Sequence, residues 1–187
     1  MLAHIDEAPS TGGDRPIRLI ADGVDLTAEL TDVAASVRDA VDTFDAVVDG
    51  VVTRQVGLRG VGAASIVEVR SSATGMLMRN SADIDVRPRG VEIEPEADEG
   101  FVAVDLLAID GTDLLDVPLL ERKRVLDSIV PPDQLIRAGP YVREPLGSWI
   151  DSWRAQGFRA MTFKSANSRY RPGETSAEWT LADMPRR

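Results

Sequence analysis

Residues 101–126, FVAVDLLAIDGTDLLDVPLLERKRVL, constrain the fold more than any other stretch. Phe101 to Ile109 is apolar except for Asp105, a pattern that suits a strand buried on both faces. Asp110-Gly111 supplies a turn, because both residue types tolerate the backbone that a tight reversal needs. Asp116 is placed to cap a helix with Pro118 in its first turn. Leu119, Leu120, Leu126 and Ile129 then share the inner face of that helix. The lone acid, Asp105, reads as a hydrogen-bonded structural carboxylate rather than a metal ligand.

The flanking sequence alternates irregularly between strand and helix patterns. IRLI (17–20) reads as a strand, followed by an Asp22-Gly23 turn. Thr27 is positioned to cap a helix over about 28–44, with an apolar stripe of Leu30, Val33, Val37, Ala40, Val41 and Phe44. AVVDGVVT (46–53) is a strand interrupted by Asp49-Gly50, and IVEV (66–69) and 82–94 have strand character. After Pro131-Pro132 closes the helix at 118–130, Leu135-Ile136 suggests a short strand. A helix over about 145–156 would bear Leu146, Trp149, Ile150 and Trp153, with Gly157 as its stop. FRAMTFK (158–164) and EWTLAD (178–183) are the closing strands. The expected class is α+β, with antiparallel-rich sheets flanked by helices, in one domain over 1–187.

Composition narrows the function. Acids outnumber bases 31 to 21, giving a net charge of −10, so the overall field repels DNA, which is bound through phosphate neutralisation. Arg169, Arg171, Arg186 and Arg187 cluster near the C-terminus, where charge runs are ordinarily solvated surface. There are no cysteines, which excludes disulfides and thiolate metal sites, and the one histidine, His4, has no Ser or Cys partner to suggest a triad and is given no role. No apolar run reaches the roughly 18 residues of a membrane span, and the first 16 residues lack the pattern of a signal peptide, so cytoplasm is expected.

Two stretches resemble ATP-dependent DNA ligases. VDLLAIDGTDLLDVPLLERKR (104–124) resembles the segment in which Phe-Asp-Leu-Leu runs into Asp-Gly and then Leu-x-x-x-Pro-Leu-x-x-Arg. KSANSRYRPGETSAEW (164–179) resembles the segment Lys-x-x-x-Ser-x-Tyr-x-Pro-Gly…Trp. With these anchors, IRLIADGVDLTAEL (17–30) and DAVVDGVV (45–52) also resemble ligase segments, and MLAHI resembles the residues that follow the nucleophile motif Lys-x-Asp-Gly-x-Arg. The resemblance implies an adenylation domain of ATP-grasp-like nucleotidyltransferase fold, acting on ATP with Mg²⁺ through a lysyl-AMP intermediate.

The same alignment implies that the catalytic positions are emptied. The nucleophile motif and the C-terminal OB domain that clamps DNA fall outside the 187 residues. Val51 replaces the carboxylate of the Asp-Gly-Glu strand, Arg159-Ala160 replace the Glu-Gly of the fourth motif, and Leu181 and Asp183 stand where phosphate-binding lysines are expected. No catalytic or metal residue is assigned.

The remnants of a nucleotide cleft are Phe101, at an aromatic position near the adenine-stacking residue, Lys164, ending the fourth motif, and Arg171 of the Tyr170–Gly173 loop. Phe101 has a competing reading as core, Lys164 as an exposed strand end, and Trp179 reads as core. Three functions are consistent with this pattern. The first is an inactive ligase-like module that binds ATP, AMP or a protein partner. The second is a DNA-repair ligase or nucleotidyltransferase whose lysine comes from a partner or an upstream segment. The third is a structural or interaction protein that binds no nucleotide.

Overall fold

The computed structural model describes residues 1–10, 12–53, 66–69, 99–131, 135–139, 141–142, 150–151, 160–174 and 176–183. The strand expected at 82–94 lies outside these residues, as does the helix expected at 145–156 apart from helical Ile150 and Asp151. In chain order the elements are β1 (Leu2–Ile5), β2 (Ile17–Ala21), β3 (Val24–Asp25), α1 (Thr31–Ala40), β4 (Ala46–Thr53) and β5 (Ile66–Val69). They continue with β6 (Gly100–Ile109), β7 (Thr112–Asp113), α2 (Leu119–Ile129), β8 (Ile136–Ala138), β9 (Tyr141–Val142), β10 (Ala160–Ser165) and β11 (Trp179–Asp183). The class is α+β, as the patterns predict.

The first sheet has the order β3-β2-β1-β4-β6, and the far edge of β6 is shared by β7 and β8. All of its pairs are antiparallel except β6 with β8. The second sheet has the order β11-β10-β5-β9, and only β10–β11 is antiparallel there. One face of the first sheet carries the core: Ala3, Ile5, Leu19, Val48, Phe101, Ala103 and Leu106 meet Val33 and Val37 of α1 and Leu126 and Ile129 of α2. Alternation along the strands sends the neighbours of these residues to the opposite face.

The Asp49-Gly50 pair does not interrupt β4 as the sequence suggests. The strand is continuous, with a register shift against β6 at this pair. A methyl group on Gly50 would lie 2.6 Å from the Val102 carbonyl oxygen and closer still to the Phe101 ring. Glycine is required there by close approach rather than by a turn. Asp22-Gly23 and Asp110-Gly111 do form turns, with positive φ at all four residues.

Both helix starts differ from the sequence expectation. Thr27 accepts a hydrogen bond from Leu19 N (2.9 Å) and donates its own backbone N–H to Asp25. Its side chain is spent on closing the β2–β3 turn, and α1 begins later, after Leu30, without a side-chain cap. Phe44 falls beyond that helix and is 70% exposed, so it is not part of the stripe. At α2 the cap residue is Pro118, and Asp116 instead pairs with Arg171. The free N–H groups of Leu119 and Leu120 donate to the carbonyls of Ser168 and Ala166, each at 3.0 Å. A loop about fifty residues downstream therefore satisfies the orphan donors of the first turn.

Candidate functional site

The 164–171 loop that caps α2 also closes a cluster of charged and aromatic side chains. Asp49 on β4 stands directly opposite Asp105 on β6, and their neighbours Val48 and Leu106 point into the core. Two adjacent carboxylates in a low-dielectric setting repel unless each finds compensation. The protein gives them different partners. Asp105 is fully buried and receives the planar fork of Arg122, Nε to Oδ1 at 2.8 Å and Nη2 to Oδ2 at 2.7 Å. Arg122 also donates to the Val117 carbonyl, and Asp105 accepts from Leu106 N. This is the structural acid that the sequence suggested.

Asp49 has no such fork. It accepts from the Tyr170 hydroxyl at 3.3 Å. Burial pushes its carboxyl above the usual value of 3.8, while the charge of Lys164 pulls the other way. Burial, followed by the charges of Asp49 and Asp105, raises the Tyr170 phenol far above 10. Tyr170 is thus a neutral donor held against an acid.

Lys164 is fully buried rather than exposed at its strand end. Its position on β10 pairs with Trp179 of β11, and its ammonium lies 3.8 Å from the centre of the Trp179 ring, within cation–π range. Trp179 is only partly buried and is therefore not the core residue expected. Its indole N–H donates to Ser168 Oγ at 2.7 Å, and Ser168 Oγ donates in turn to the Ser165 carbonyl. Tyr170 approaches Trp179 edge-on with ring centres 5.9 Å apart.

The structure separates the three expected site residues. Lys164 joins Asp49, Tyr170 and Trp179. Phe101 is fully buried in the core cluster, beneath Gly50. Arg171 is exposed and paired with Asp116 at 2.8 Å, an interaction of small energetic weight. Sequence reading missed the buried cations Arg122 and Lys123. Lys123 donates to the carbonyls of Val104 (2.9 Å) and Gly139 (3.2 Å), on the edge of β6 between the stretches paired by β8 and β7. Their signal was their spacing, three and four residues after Leu119, which places them on the same helix face.

Among the described residues no group of three or more His, Cys, Asp or Glu could hold a metal ion. Asp105 is spent on Arg122, so Asp49 is the one remaining acid of the pair. Mg²⁺ is commonly held by one or two carboxylates together with substrate phosphates, so a metal here would arrive on the phosphates of a nucleotide. Among the described residues no helix is long and apolar enough to cross a membrane.

No family model matches the chain. It is similar to a probable DNA ligase of Mycolicibacterium paratuberculosis, 28% identical over 159 residues that cover 83% of this chain and 27% of that protein. It is also similar to DNA ligase B of Mycobacterium tuberculosis (strain ATCC 25618 / H37Rv), 35% identical over 79 residues, 40% of this chain and 15% of that one. The chain thus spans about a quarter of the length of the first of these relatives. Among solved structures, the fold matches a mycobacterial DNA ligase D complexed with ATP and MES, with a TM-score of 0.53 at 21% identity, covering 96% of this chain and 50% of that one. It also matches the ligase domain of M. tuberculosis LigD, with a TM-score of 0.54 at 22% identity, covering 97% and 53%.

Proposed function

We propose that this DNA ligase-like chain is a single adenylation-type domain kept for binding a nucleotide or a protein partner rather than for sealing DNA. The observation that carries the reading is the contrast between Val51 and Lys164. Val51, where ligases carry a carboxylate, shares its strand face with Asp49 and offers only hydrocarbon. Lys164, at the position of a ligase lysine, is buried in the field of Asp49 and against Trp179. Framework and one cation persist where an acid needed for the chemistry does not. Leu181 and Asp183 on β11, in place of phosphate-binding lysines, extend the same pattern.

The proposed ligand is ATP or AMP with Mg²⁺, and Lys164 is its phosphate contact. For that ammonium to meet a phosphate, the Trp179 indole must move off it. Arg171 reaches a phosphate only by leaving Asp116, and Phe101 supports the sheet from below. The proposed setting is the cytoplasm.

Calorimetric titration with ATP and Mg²⁺ tests this reading. Micromolar binding that is lost in Lys164→Met supports the nucleotide as ligand, and no heat from the wild-type chain sinks the nucleotide and leaves a protein partner. Nick sealing by the 187-residue chain is expected to be undetectable and not restored by Val51→Glu; robust sealing would favour an active ligase instead. One observation favours a second reading, a structural or interaction protein without a nucleotide. The ammonium of Lys164 is fully enclosed by its neighbours, as in a finished core. The same titration separates the two.

A further inference from the structure

Arg137 lies on β8, in register with Val102 of β6, which is in register with Val51 of β4. Its strand neighbours Ile136 and Ala138 turn into the core or pack against it. Alternation therefore puts Arg137 on the opposite face, the one that carries Asp49, Val51 and Asp105. The side chain is partly buried. Its Nε and Nη2 atoms are both shielded from solvent and neither has a hydrogen-bond acceptor. Among the described residues it makes no ion pair.

Two shielded guanidinium nitrogens without an acceptor are costly to retain. Burial alone pulls its protonation below the ordinary value. The two unsatisfied nitrogens are those on one edge of the guanidinium, a planar two-donor fork. Arg122 shows in the same protein what such an edge takes, because its Nε and Nη2 each hold one oxygen of the Asp105 carboxylate. The complement to the edge of Arg137 is likewise a group with two oxygens about as far apart as those of a carboxylate or phosphate.

We infer that Arg137 anchors an oxyanion-binding subsite on the face of the first sheet opposite the core, taking a phosphate group through Nε and Nη2. The choice of phosphate over carboxylate rests on the nucleotide reading above; the oxyanion itself follows from the fork. The subsite is distinct from the Lys164 cluster, since it lies on β8 in the row of Val51 and Val102 rather than that of Asp49 and Asp105.

The test is thermal unfolding with inorganic pyrophosphate, with acetate as the carboxylate control, on wild type, Arg137→Met and Arg137→Lys. At about a hundredfold excess over Kd, pyrophosphate is expected to raise the wild-type Tm by about 5–10 °C. Arg137→Met should lose that rise while its own Tm stays level or increases, because it removes two shielded donors that have no acceptor. Arg137→Lys should lose most of the rise, because an ammonium has no planar edge. The Nε–Hε NMR resonance of Arg137 in the wild-type chain should shift with pyrophosphate, which needs no variant to fold. A rise retained in Arg137→Met, an unmoved resonance, or no wild-type response overturns the subsite, and an equal response to acetate overturns the phosphate assignment. A response to pyrophosphate without ATP binding leaves this subsite standing and removes the nucleotide reading. ATP binding indifferent to Arg137→Met does the reverse.

Discussion

Asp49 and Asp105 face each other across two strands, and each follows a different rule for a buried carboxylate. Asp105 meets the Arg122 guanidinium at 2.7 Å, with both side chains fully buried. Breaking such a pair leaves a bare buried charge, which costs about 3–5 kcal/mol, whereas replacing both partners by hydrocarbon costs far less. Asp105→Asn should therefore lower stability by about that amount, and Asp105→Leu with Arg122→Met should recover much of it. Denaturant midpoints on wild type, Asp105→Leu, Arg122→Met and their double variant check the pairing, and additive losses would refute it. Asp49 obeys the opposite rule. Its carboxyl titrates above 3.8 in the folded chain, chiefly through burial, so the folded state binds that proton more tightly than the unfolded one. The resulting stability is fully present below the unfolded value and is lost as pH rises through the folded value. Asp49→Asn, which cannot lose the proton, should gain on wild type as pH climbs from about 3.8 toward neutrality. Parallel midpoint curves over that window would show that Asp49 carries no such penalty.

The elements show how the two ligase-like stretches are joined in the fold. The carbonyls of Ala166 and Ser168 cap α2, Tyr170 N bonds to the Leu115 carbonyl, and Arg171 meets Asp116. The loop is thus the N-terminal cap of the helix. Ser168→Ala removes the acceptor of Trp179 Nε1 and the donor to Ser165 O. Leaving those groups unpaired in a buried place should cost about 1–3 kcal/mol and free the Trp179 indole from its position over Lys164. Unfolding curves and tryptophan fluorescence would report both, and an unchanged emission spectrum would argue against the linkage. This architecture also explains what was legible in advance. The bounds of β4 and β5 were read correctly because strand patterns depend on adjacent residues. The start of α2 differs from the expectation because a cap supplied from residues 166 and 168 leaves no local sign, and that of α1 because the Thr27 side chain is taken by Leu19 N. Lys164 was ambiguous for a similar reason: its burial depends on Trp179 and Asp49, which belong to other strands. Arg122 and Lys123 were missed because charge suggests surface, although helical spacing from Leu119 already turned them inward.

At the scale of the whole chain, charge carries the expectation about DNA. The net charge is −10, and several cations are already committed: Arg122 to Asp105, Arg171 to Asp116, Arg38 to Asp39 and Asp14, and Arg124 to Glu121. DNA affinity depends on the number of phosphates that unpaired Lys and Arg neutralise, and it falls with salt in proportion to that number. Non-specific binders reach Kd values of about 10⁻⁴–10⁻⁶ M at physiological salt through that term alone. A chain whose cations are outnumbered, with several of them internally paired, should fall short of this range. Mixed at about 10 μM with a nicked duplex in physiological salt, the 187-residue chain is expected to leave the DNA unshifted, with little gain when salt is lowered. A complex whose affinity falls steeply with salt would instead reveal a basic face gathered from the 21 Lys and Arg residues. That outcome would return DNA to the list of ligands, whatever the state of Val51. An unshifted duplex alongside binding of ATP or pyrophosphate would place the function of the scaffold in small-molecule recognition, with the fork of Arg137 and the buried Lys164 as its two proposed points of contact.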